Sequence, residues 1–280
     1  MWFFLACDLS MPNASLQSTT LTTIRAGTYQ VGPYPTKTSA KKQPRTVTVQ
    51  YDFGIEQTEF TQRQYIVVME TLPQSTCNRS LSVQQRDLDS PVTCLSWCDA
   101  IVLANTRSIA EGLSTAYDIP RDFATDMLAI ECNELAQFVR LNPRATGWRL
   151  PTEAEWDIVS RGWDQTKLPV EDSAWFLDNA SHSLHVVGQK KPNAQGLYDV
   201  QGNVSEWIWE EYGDFLRTTA INPFRKEGHL LNHYARLIKG GNALSPKDAL
   251  SLSLRPHASS ALRSDIIGVR FVRTLTWYGP

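Results

Sequence analysis

The sequence has no cysteine after residue 132, although the chain has 280 residues and five cysteines in all. No Cys-x-x-Cys pair occurs, so neither a zinc knuckle nor a thioredoxin-type redox site is supported. Cys77, Cys94, Cys98 and Cys132 form an even set, which predicts two disulfides with three alternative pairings in an exported protein. Four buried free thiols in a cytoplasmic protein are the alternative. Cys94 and Cys98 are four residues apart and are expected on one helix face, which disfavours a bond between them.

The chain also lacks an excess of basic charge. Its 27 Lys and Arg residues face 29 Asp and Glu residues, which gives a formal charge of -2 and a pI near 6.2. A phosphate backbone needs a basic surface, so nucleic acid is not expected as a partner. Neither Gly-x-Gly-x-x-Gly nor Gly-Lys-Ser/Thr occurs, so the sequence gives no support to a nucleotide phosphate site.

Long apolar runs are missing as well. A membrane-spanning helix needs about 18 or more consecutive apolar residues, and no such stretch occurs. Residues 1–6 are apolar and precede Cys7, but they are shorter than the roughly 7–15 residues of a secretory apolar region. We interpret residues 1–23 as the remnant of a bacterial lipoprotein signal, with Cys7 as the lipidation site, followed by a polar Ser/Thr-rich tether. This predicts a lipid-anchored protein of the bacterial cell envelope, and an ordinary cysteine in a cytoplasmic protein is the alternative.

The composition that is present describes a globular protein. Hydrophobic residues make up 42% of the chain and there are nine tryptophans, enough for one sizeable core over residues 24–278. Alternating apolar residues predict a strand over residues 46–53 that places Val47, Val49, Tyr51 and Phe53 on one face. A second alternating stretch predicts a closing strand over residues 268–273.

Three helix starts are predicted from capping residues followed three positions later by a Gln, Asp or Glu. The pairs are Thr61 with Gln64, Ser96 with Asp99, and Thr152 with Glu155. The expected stops are Leu72-Pro73, Gly112 and Gly162. Carboxylates at Glu153 and Glu155 are explained by the helix dipole rather than by acid–base catalysis. Few helices among many short strands predict an α+β domain that is rich in loops.

Four segments in order resemble the sulfatase-modifying factor family, whose founding activity is that of the formylglycine-generating enzyme. They are Gly54-Ile-Glu-Gln-Thr-Glu-Phe-Thr61, Gly147-Trp-Arg-Leu-Pro-Thr-Glu-Ala-Glu-Trp156, Pro192-Asn-Ala-Gln-Gly-Leu-Tyr-Asp-Val-Gln-Gly-Asn-Val-Ser-Glu-Trp207, and Lys239-Gly-Gly-Asn242 with Gly268-Val-Arg-Phe271. The resemblance implies a single compact domain with a modified C-type-lectin-like fold, spanning residues 24–278.

The third segment carries a candidate metal site. Its carboxylates and its Asn/Gly-rich bend offer the hard oxygen ligands that calcium takes. The resemblance implies calcium binding through the side chains of Asp199 and Glu206 and the main-chain carbonyls of Gly202 and Val204. A metal-free turn held by side-chain hydrogen bonds of Asn203 is the alternative. A second calcium site of some relatives begins at the position of Asn179, but the stretch for its other ligands is shortened here, so we do not expect it.

The resemblance also shows what this chain lacks. Family members that generate formylglycine use two cysteine thiolates, which bind copper, shortly after the Gly-Gly motif. Counting from Gly241 places Ser245 at the first position and Leu250 at the second, with Ser251 as the alternative to Leu250. Asn242 and Ser205 also replace the residues usual at their positions. Copper binding and formylglycine generation by the thiolate route are therefore not expected.

We therefore expect a non-catalytic, calcium-stabilised, lectin-like member of the family that binds a protein, a peptide or a small ligand. The predicted binding groove is lined by Ser205, Asn242, Ser245 and Arg255, and the protein is expected to be a monomer. An oxidoreductase or maturation enzyme of different mechanism, such as one using iron borrowed from a partner, is the alternative.

Overall fold

The computed structural model describes residues 19–31, 45–73, 77, 80–81, 87–124, 128–160, 168–213, 220–222, 224 and 234–279. Within these residues the strands are β1 (Leu21–Ile24), β2 (Gly27–Val31), β3 (Arg45–Val49), β4 (Tyr51–Glu56), β5 (Tyr117–Asp118), β6 (Arg140–Leu141), β7 (Trp148–Arg149), β8 (Ser205–Glu211), β9 (Ala220–Ile221), β10 (Ala235–Lys239), β11 (His257–Ser259), β12 (Ile267–Gly268) and β13 (Val272–Trp277). The α-helices are α1 (Gln62–Met69), α2 (Trp97–Ala110), α3 (Ala129–Leu135), α4 (Glu153–Ser160) and α5 (Val170–Ser173). Two 3-10 helices cover Ala136–Phe138 and Lys247–Leu250.

The strands form two four-stranded sheets and two smaller ones. One sheet has the order β1-β4-β13-β7 and the other has the order β11-β10-β8-β12. Strands β2, β3 and β9 form a three-stranded sheet, and β5 pairs with β6. Short strands in several small sheets with few helices confirm the predicted α+β architecture.

The helix predictions are confirmed where the structure describes them. Thr61 and Ser96 each form a complete capping box, and α1 and α2 begin at the next residue. Thr152 makes the same reciprocal contacts with Glu155 at the start of α4. Helix α1 ends at Met69, before the predicted Leu72-Pro73, because Glu70 adopts a left-handed φ of 59°. Gly112 follows α2 with a φ of 69°, whereas Gly162 lies outside the described residues.

The predicted single strands are each divided between two sheets. Residues 46–53 contribute β3 to the three-stranded sheet and β4 to a four-stranded one, with a break at Gln50. Their apolar side chains nevertheless share one buried cluster, as the alternation predicts. Residues 268–273 likewise fall on β12 and β13, which belong to different sheets. The alternation of apolar and polar residues indicates which side chains are buried, but it does not indicate which strand each segment pairs with.

The boundary placed after residue 23 is corrected by β1. Leu21 to Ile24 pair antiparallel with β4, so the domain begins no later than residue 21. The polar Ser/Thr composition predicted a tether, but β1 pairs with β4 through main-chain hydrogen bonds, which do not depend on the polarity of the side chains. Residues 1–18, including Cys7, lie outside the described residues. In the described part of the chain, no helix is both long enough and apolar enough to cross a membrane.

Two large clusters of buried side chains form the core. One packs α1 and α2 against Trp148, Trp207 and Phe271, and the other gathers around Tyr51 and Trp156. A much smaller cluster of Ala180, Leu184, Val204 and Ala243 lies under the bend that leads into β8. This arrangement fixes the start of β8 from several sides, and the candidate site residues lie there.

Candidate functional site

The bend that precedes β8 has an unusual backbone. Asp199, Gly202 and Asn203 all adopt positive φ angles, of 53°, 82° and 49°. A Cβ on Gly202 would lie 2.1 Å from the carbonyl oxygen of Trp175, so a side chain cannot fit there. The amide of Asn203 donates to that same oxygen at 2.8 Å, and the amide of Gly202 donates to the carbonyl of Gly240 at 3.0 Å. The bend is therefore fixed between two other loops.

Asp199 is buried in this bend with one carboxylate oxygen lacking a partner. Its Oδ2 accepts a hydrogen bond from the amide of Gly188 at 2.7 Å. Its Oδ1 has no hydrogen-bond partner among the described residues. Burial raises the pKa of Asp199 to about 6. A buried oxygen without a partner loses hydration without compensation, so this atom is available to a bound group.

Glu206 lies at the start of β8 in a buried ion pair. Its Oε1 accepts a hydrogen bond from Nε of Arg270 at 2.9 Å, and its Oε2 accepts one from Nε1 of Trp156 at 2.8 Å. Both charged side chains are 1% exposed. Glu206 is thus held in one orientation, and a cation would share its oxygens with these two donors.

Glu59 is a third buried carboxylate at this place, and sequence reasoning missed it. Its Oε1 accepts from the amide of Val204 at 3.0 Å, and its Oε2 accepts from Nδ2 of Asn203 at 2.7 Å. Burial raises the pKa of Glu59 well above its usual value, and the nearby Asp199 carboxylate raises it further. Glu59 stands in the first family-like segment, but no local pattern indicates contact with residues 144 positions away.

The three carboxylates of Glu59, Asp199 and Glu206 interact electrostatically and share one buried guanidinium, that of Arg270. Buried negative charge without compensation is costly, and a divalent cation with oxygen ligands would offset it. Asp199 Oδ1 is an oxygen without a hydrogen-bond partner among the described residues, in the same bend as Gly202 and Val204, and hard oxygens of this kind fit a calcium ion. No three His, Cys, Asp or Glu side chains in the described residues are grouped to hold a metal, so such a site would depend on main-chain oxygens.

Asn203 makes the hydrogen bonds that the metal-free alternative requires. Its Oδ1 accepts from the amide of His185 at 3.0 Å, and its Nδ2 donates to the carbonyl of His185 at 3.2 Å. These bonds hold the bend, but they leave Asp199 Oδ1 without a partner. Asn179 uses both polar atoms within its own turn, on the amide of Phe176 and the carbonyl of Ala174.

Three of the four predicted groove residues lie together. Asn242 Nδ2 donates to Ser205 Oγ at 3.1 Å, and the amide of Asn242 donates to Ser245 Oγ at 3.0 Å. Arg255 is not placed with them. Its Nη1 donates to the carbonyl of Gly213, beyond the end of β8 opposite to Ser205, and its Nε contacts Glu153. The charge of Glu153 directs Arg255 to the other end of the strand.

The two positions that match the family's thiolate pair lie together around Gly241. A Cβ built on Gly241 would lie 2.8 Å from Cδ2 of Leu250 and 3.3 Å from Oγ of Ser245. Leu250 is buried, with Ala174 and Phe176. Ser251 Oγ instead lies 2.9 Å from Oγ of Ser253. The structure thus favours Leu250 over Ser251 as the second position, and neither Ser245 nor Leu250 can supply a thiolate.

The four clustered cysteines form two disulfides, Cys77–Cys94 and Cys98–Cys132. Cys94 and Cys98 do not bond to each other, but the expected reason was wrong. Cys94 precedes α2 and has a positive φ of 62°, so it does not share a helix face with Cys98. Disulfides are typical of proteins that fold outside the cytoplasm.

Comparisons with known proteins agree with this geometry. The family described as "Sulfatase-modifying factor enzyme 1-like domain" matches residues 7–275. The solved structure of Treponema denticola variable protein 1 superposes with a TM-score of 0.76 at 28% identity, covering 92% of this chain and 95% of that one. The predicted C-type-lectin-like fold of the family is thereby confirmed.

The matches to curated proteins are partial. Chaperone protein LppX of Paenibacillus barcinonensis is 30% identical over 57% of this chain and 62% of its own length. The formylglycine-generating enzyme of Thermomonospora curvata is 31% identical over 35% of this chain and 39% of its own. The inactive C-alpha-formylglycine-generating enzyme 2 of Mus musculus is 34% identical over 24% of this chain and 27% of its own. The chain thus spans less than two thirds of each of these relatives.

Proposed function

Because the chain belongs to the sulfatase-modifying factor enzyme 1-like family, we propose that it is a calcium-stabilised, non-catalytic member that binds a ligand or protein partner. One observation carries the non-catalytic part of the proposal. The two positions that match the catalytic thiolates are Ser245 and Leu250, and both side chains lie within 3.3 Å of where a Cβ on Gly241 would stand. Serine and leucine supply no soft ligand for copper.

The binding surface in this proposal is the groove around Ser205, Asn242 and Ser245. Hydrogen bonds link their hydroxyl and amide groups. Asn242 and Ser245 are partly exposed and are available to polar atoms of a peptide or small ligand, whereas Ser205 is buried behind Asn242. Arg255 is left out of the surface because it lies at the other end of β8. The two disulfides support a place outside the cytoplasm, which for this proposal is the bacterial cell envelope.

A paired cysteine substitution tests the non-catalytic assignment. We expect the wild-type chain to bind no copper(I) at the groove and to leave a cysteine-containing peptide unoxidised in air. Ser245→Cys with Leu250→Cys should create a two-thiolate site that binds one copper(I) per chain, because both side chains face Gly241. Copper content after dialysis and the mass of the peptide are the measurements.

Ser251→Cys with Ser253→Cys is the matched control, since those two hydroxyls are also neighbours but lie away from Gly241. Oxidation of the peptide by the wild-type chain would contradict the proposal. Metal analysis separates the alternative, because stoichiometric iron in the purified protein would favour an enzyme of different mechanism.

Chelation tests the calcium part of the proposal. A ligand at 100 times its Kd stabilises a folded protein by about 2.7 kcal/mol, so EDTA should lower the Tm of the wild-type chain. Asp199→Ala removes the oxygen without a partner and should abolish most of this response. Melting curves with calcium and with EDTA provide the measurement.

Glu171→Ala is the control for that experiment, because it removes an exposed carboxylate whose ion pair is with Lys247 and not with a residue of the bend. The Tm of this variant should fall with EDTA as much as that of the wild type. A wild-type Tm that does not change on chelation would remove the calcium assignment.

A further inference from the structure

Glu59 is the buried carboxylate at the bend that no family-like ligand set includes. It follows β4 and is 0% exposed. One oxygen accepts from the amide of Val204 at 3.0 Å and the other accepts from the side chain of Asn203 at 2.7 Å. Both carboxylate oxygens of Glu59 therefore accept hydrogen bonds from two consecutive residues of the bend, Asn203 and Val204.

These contacts connect Glu59 to both halves of the candidate cation site. Val204 is one of the residues whose carbonyl is proposed as a ligand. Asn203 in turn binds the amide and the carbonyl of His185. Three residues further along, the amide of Gly188 donates to Oδ2 of Asp199 at 2.7 Å. A single carboxylate thus helps to fix the main-chain ligands and the loop that orients Asp199.

Glu59 reaches the ligands from behind, through hydrogen bonds to Val204 and Asn203. Partners behind the ligands of a metal commonly set its affinity by holding those ligands in position.

We propose that Glu59 is a positioning residue of the calcium site, which holds Asn203 and Val204 in the binding conformation. This inference rests on the proposed calcium function. It assigns Glu59 no direct bond to the ion, because its oxygens are occupied by Val204 and Asn203.

Calcium titration of the EDTA-treated full chain tests the proposal. Glu59→Gln keeps the size of the side chain but replaces one of its two acceptor oxygens with an NH2 group, so one of the hydrogen bonds from Val204 and Asn203 is lost. We therefore expect the Kd for calcium to rise by about ten- to hundredfold. Isothermal titration calorimetry gives the Kd. Circular dichroism of the metal-free variant shows that it is folded. An unchanged Kd in a folded Glu59→Gln variant would overturn the proposal.

Two further variants keep the result interpretable. Glu210→Gln changes another buried carboxyl on β8, one that accepts a hydrogen bond from the amide of Glu153 at 2.8 Å, and its Kd should equal that of the wild type.

If Glu59→Gln does not fold, Asn203→Gly provides a second test. Glycine tolerates the positive φ at this position, and the substitution removes the side chain through which Glu59 acts, so it should also weaken calcium binding. An unchanged Kd in Asn203→Gly would then overturn the proposal.

Failure of this inference differs from failure of the calcium function. If the wild-type chain and Glu210→Gln bind no calcium, both proposals are wrong. If they bind calcium and Glu59→Gln binds it equally well, the calcium function stands and the role of Glu59 is rejected.

Discussion

Replacing Arg149 by Met should lower the free energy of unfolding by about 3–5 kcal/mol, the usual cost of removing one partner from a buried ion pair. Arg149 donates two hydrogen bonds to Glu155, at 2.7 and 2.6 Å, and the two side chains are 0% and 1% exposed. Without Arg149, the Glu155 carboxylate keeps the hydroxyl of Tyr51 and the amide of Thr152 as partners but loses its counter-charge. Urea unfolding measures the change.

The pH dependence of that loss separates the ion pair from general packing. Burial alone would raise the pKa of Glu155, but the Arg149 guanidinium outweighs it, and the pKa lies below its usual value. The pair therefore stabilises the folded state above the unfolded pKa of about 4.3, and this stabilisation is lost as pH falls through the folded value. In Arg149→Met, burial raises the pKa of Glu155 and no guanidinium opposes this rise. The deficit of this variant should thus be largest at neutral pH and shrink on acidification.

Arg63→Met provides the control for Arg149→Met. Arg63 pairs with Asp89 on the surface, where the side chains are 45% and 50% exposed, so its loss should cost less than about 1 kcal/mol. The double variant Arg149→Met with Glu155→Gln should recover part of the loss, because no unpaired charge remains buried. A deficit for Arg149→Met that is small and equal at all pH values would contradict the interpretation.

Removal of the Cys98–Cys132 disulfide should have the second large effect. Its cysteines are 34 positions apart, and a loop of that length corresponds to about 3–4 kcal/mol of unfolded-state entropy. The two residues are 0% and 1% exposed, so Cys98→Ala with Cys132→Ala also leaves a gap in the core. We expect a fall of about 4 kcal/mol or more in the free energy of unfolding under oxidising conditions.

The Cys77–Cys94 disulfide is the internal comparison. Its cysteines are 17 positions apart and half-buried, so Cys77→Ser with Cys94→Ser should cost less. Mild reductant should also open this disulfide first, because exchange requires access of a thiolate to the sulfur. Equal losses, or earlier opening of Cys98–Cys132, would contradict the prediction. Four free thiols in protein alkylated directly in its host cell would contradict the proposed envelope location.

The parts of the fold that local rules govern were predictable from the sequence. Thr61 with Gln64 and Ser96 with Asp99 predict helix starts because the capping contacts join residues three apart. Alternation likewise identified Val47, Val49, Tyr51 and Phe53 as buried. The break at Gln50 was not predictable, because it depends on which strands lie alongside.

The candidate site shows the same division. The resemblance identified Asp199 and Glu206, but it could not show that Glu206 is held by Arg270 and Trp156. Glu59 reaches Asn203 across 144 positions, and no periodicity or spacing encodes such a contact. The resemblance predicted Arg255 in the groove. In the structure, Arg255 pairs with Glu153 and lies elsewhere.

The sequence by itself determined that no cysteine follows residue 132, and so that thiolate chemistry is absent after the Gly-Gly motif. It also determined the capped helices and the family, because these depend on residue identity and short spacing. The tertiary structure alone decided the disulfide pairing, the division of the strands between sheets, and the placement of both Ser245 and Leu250 beside Gly241. These features depend on contacts between residues far apart in the chain, which form only when the sheets and loops pack together.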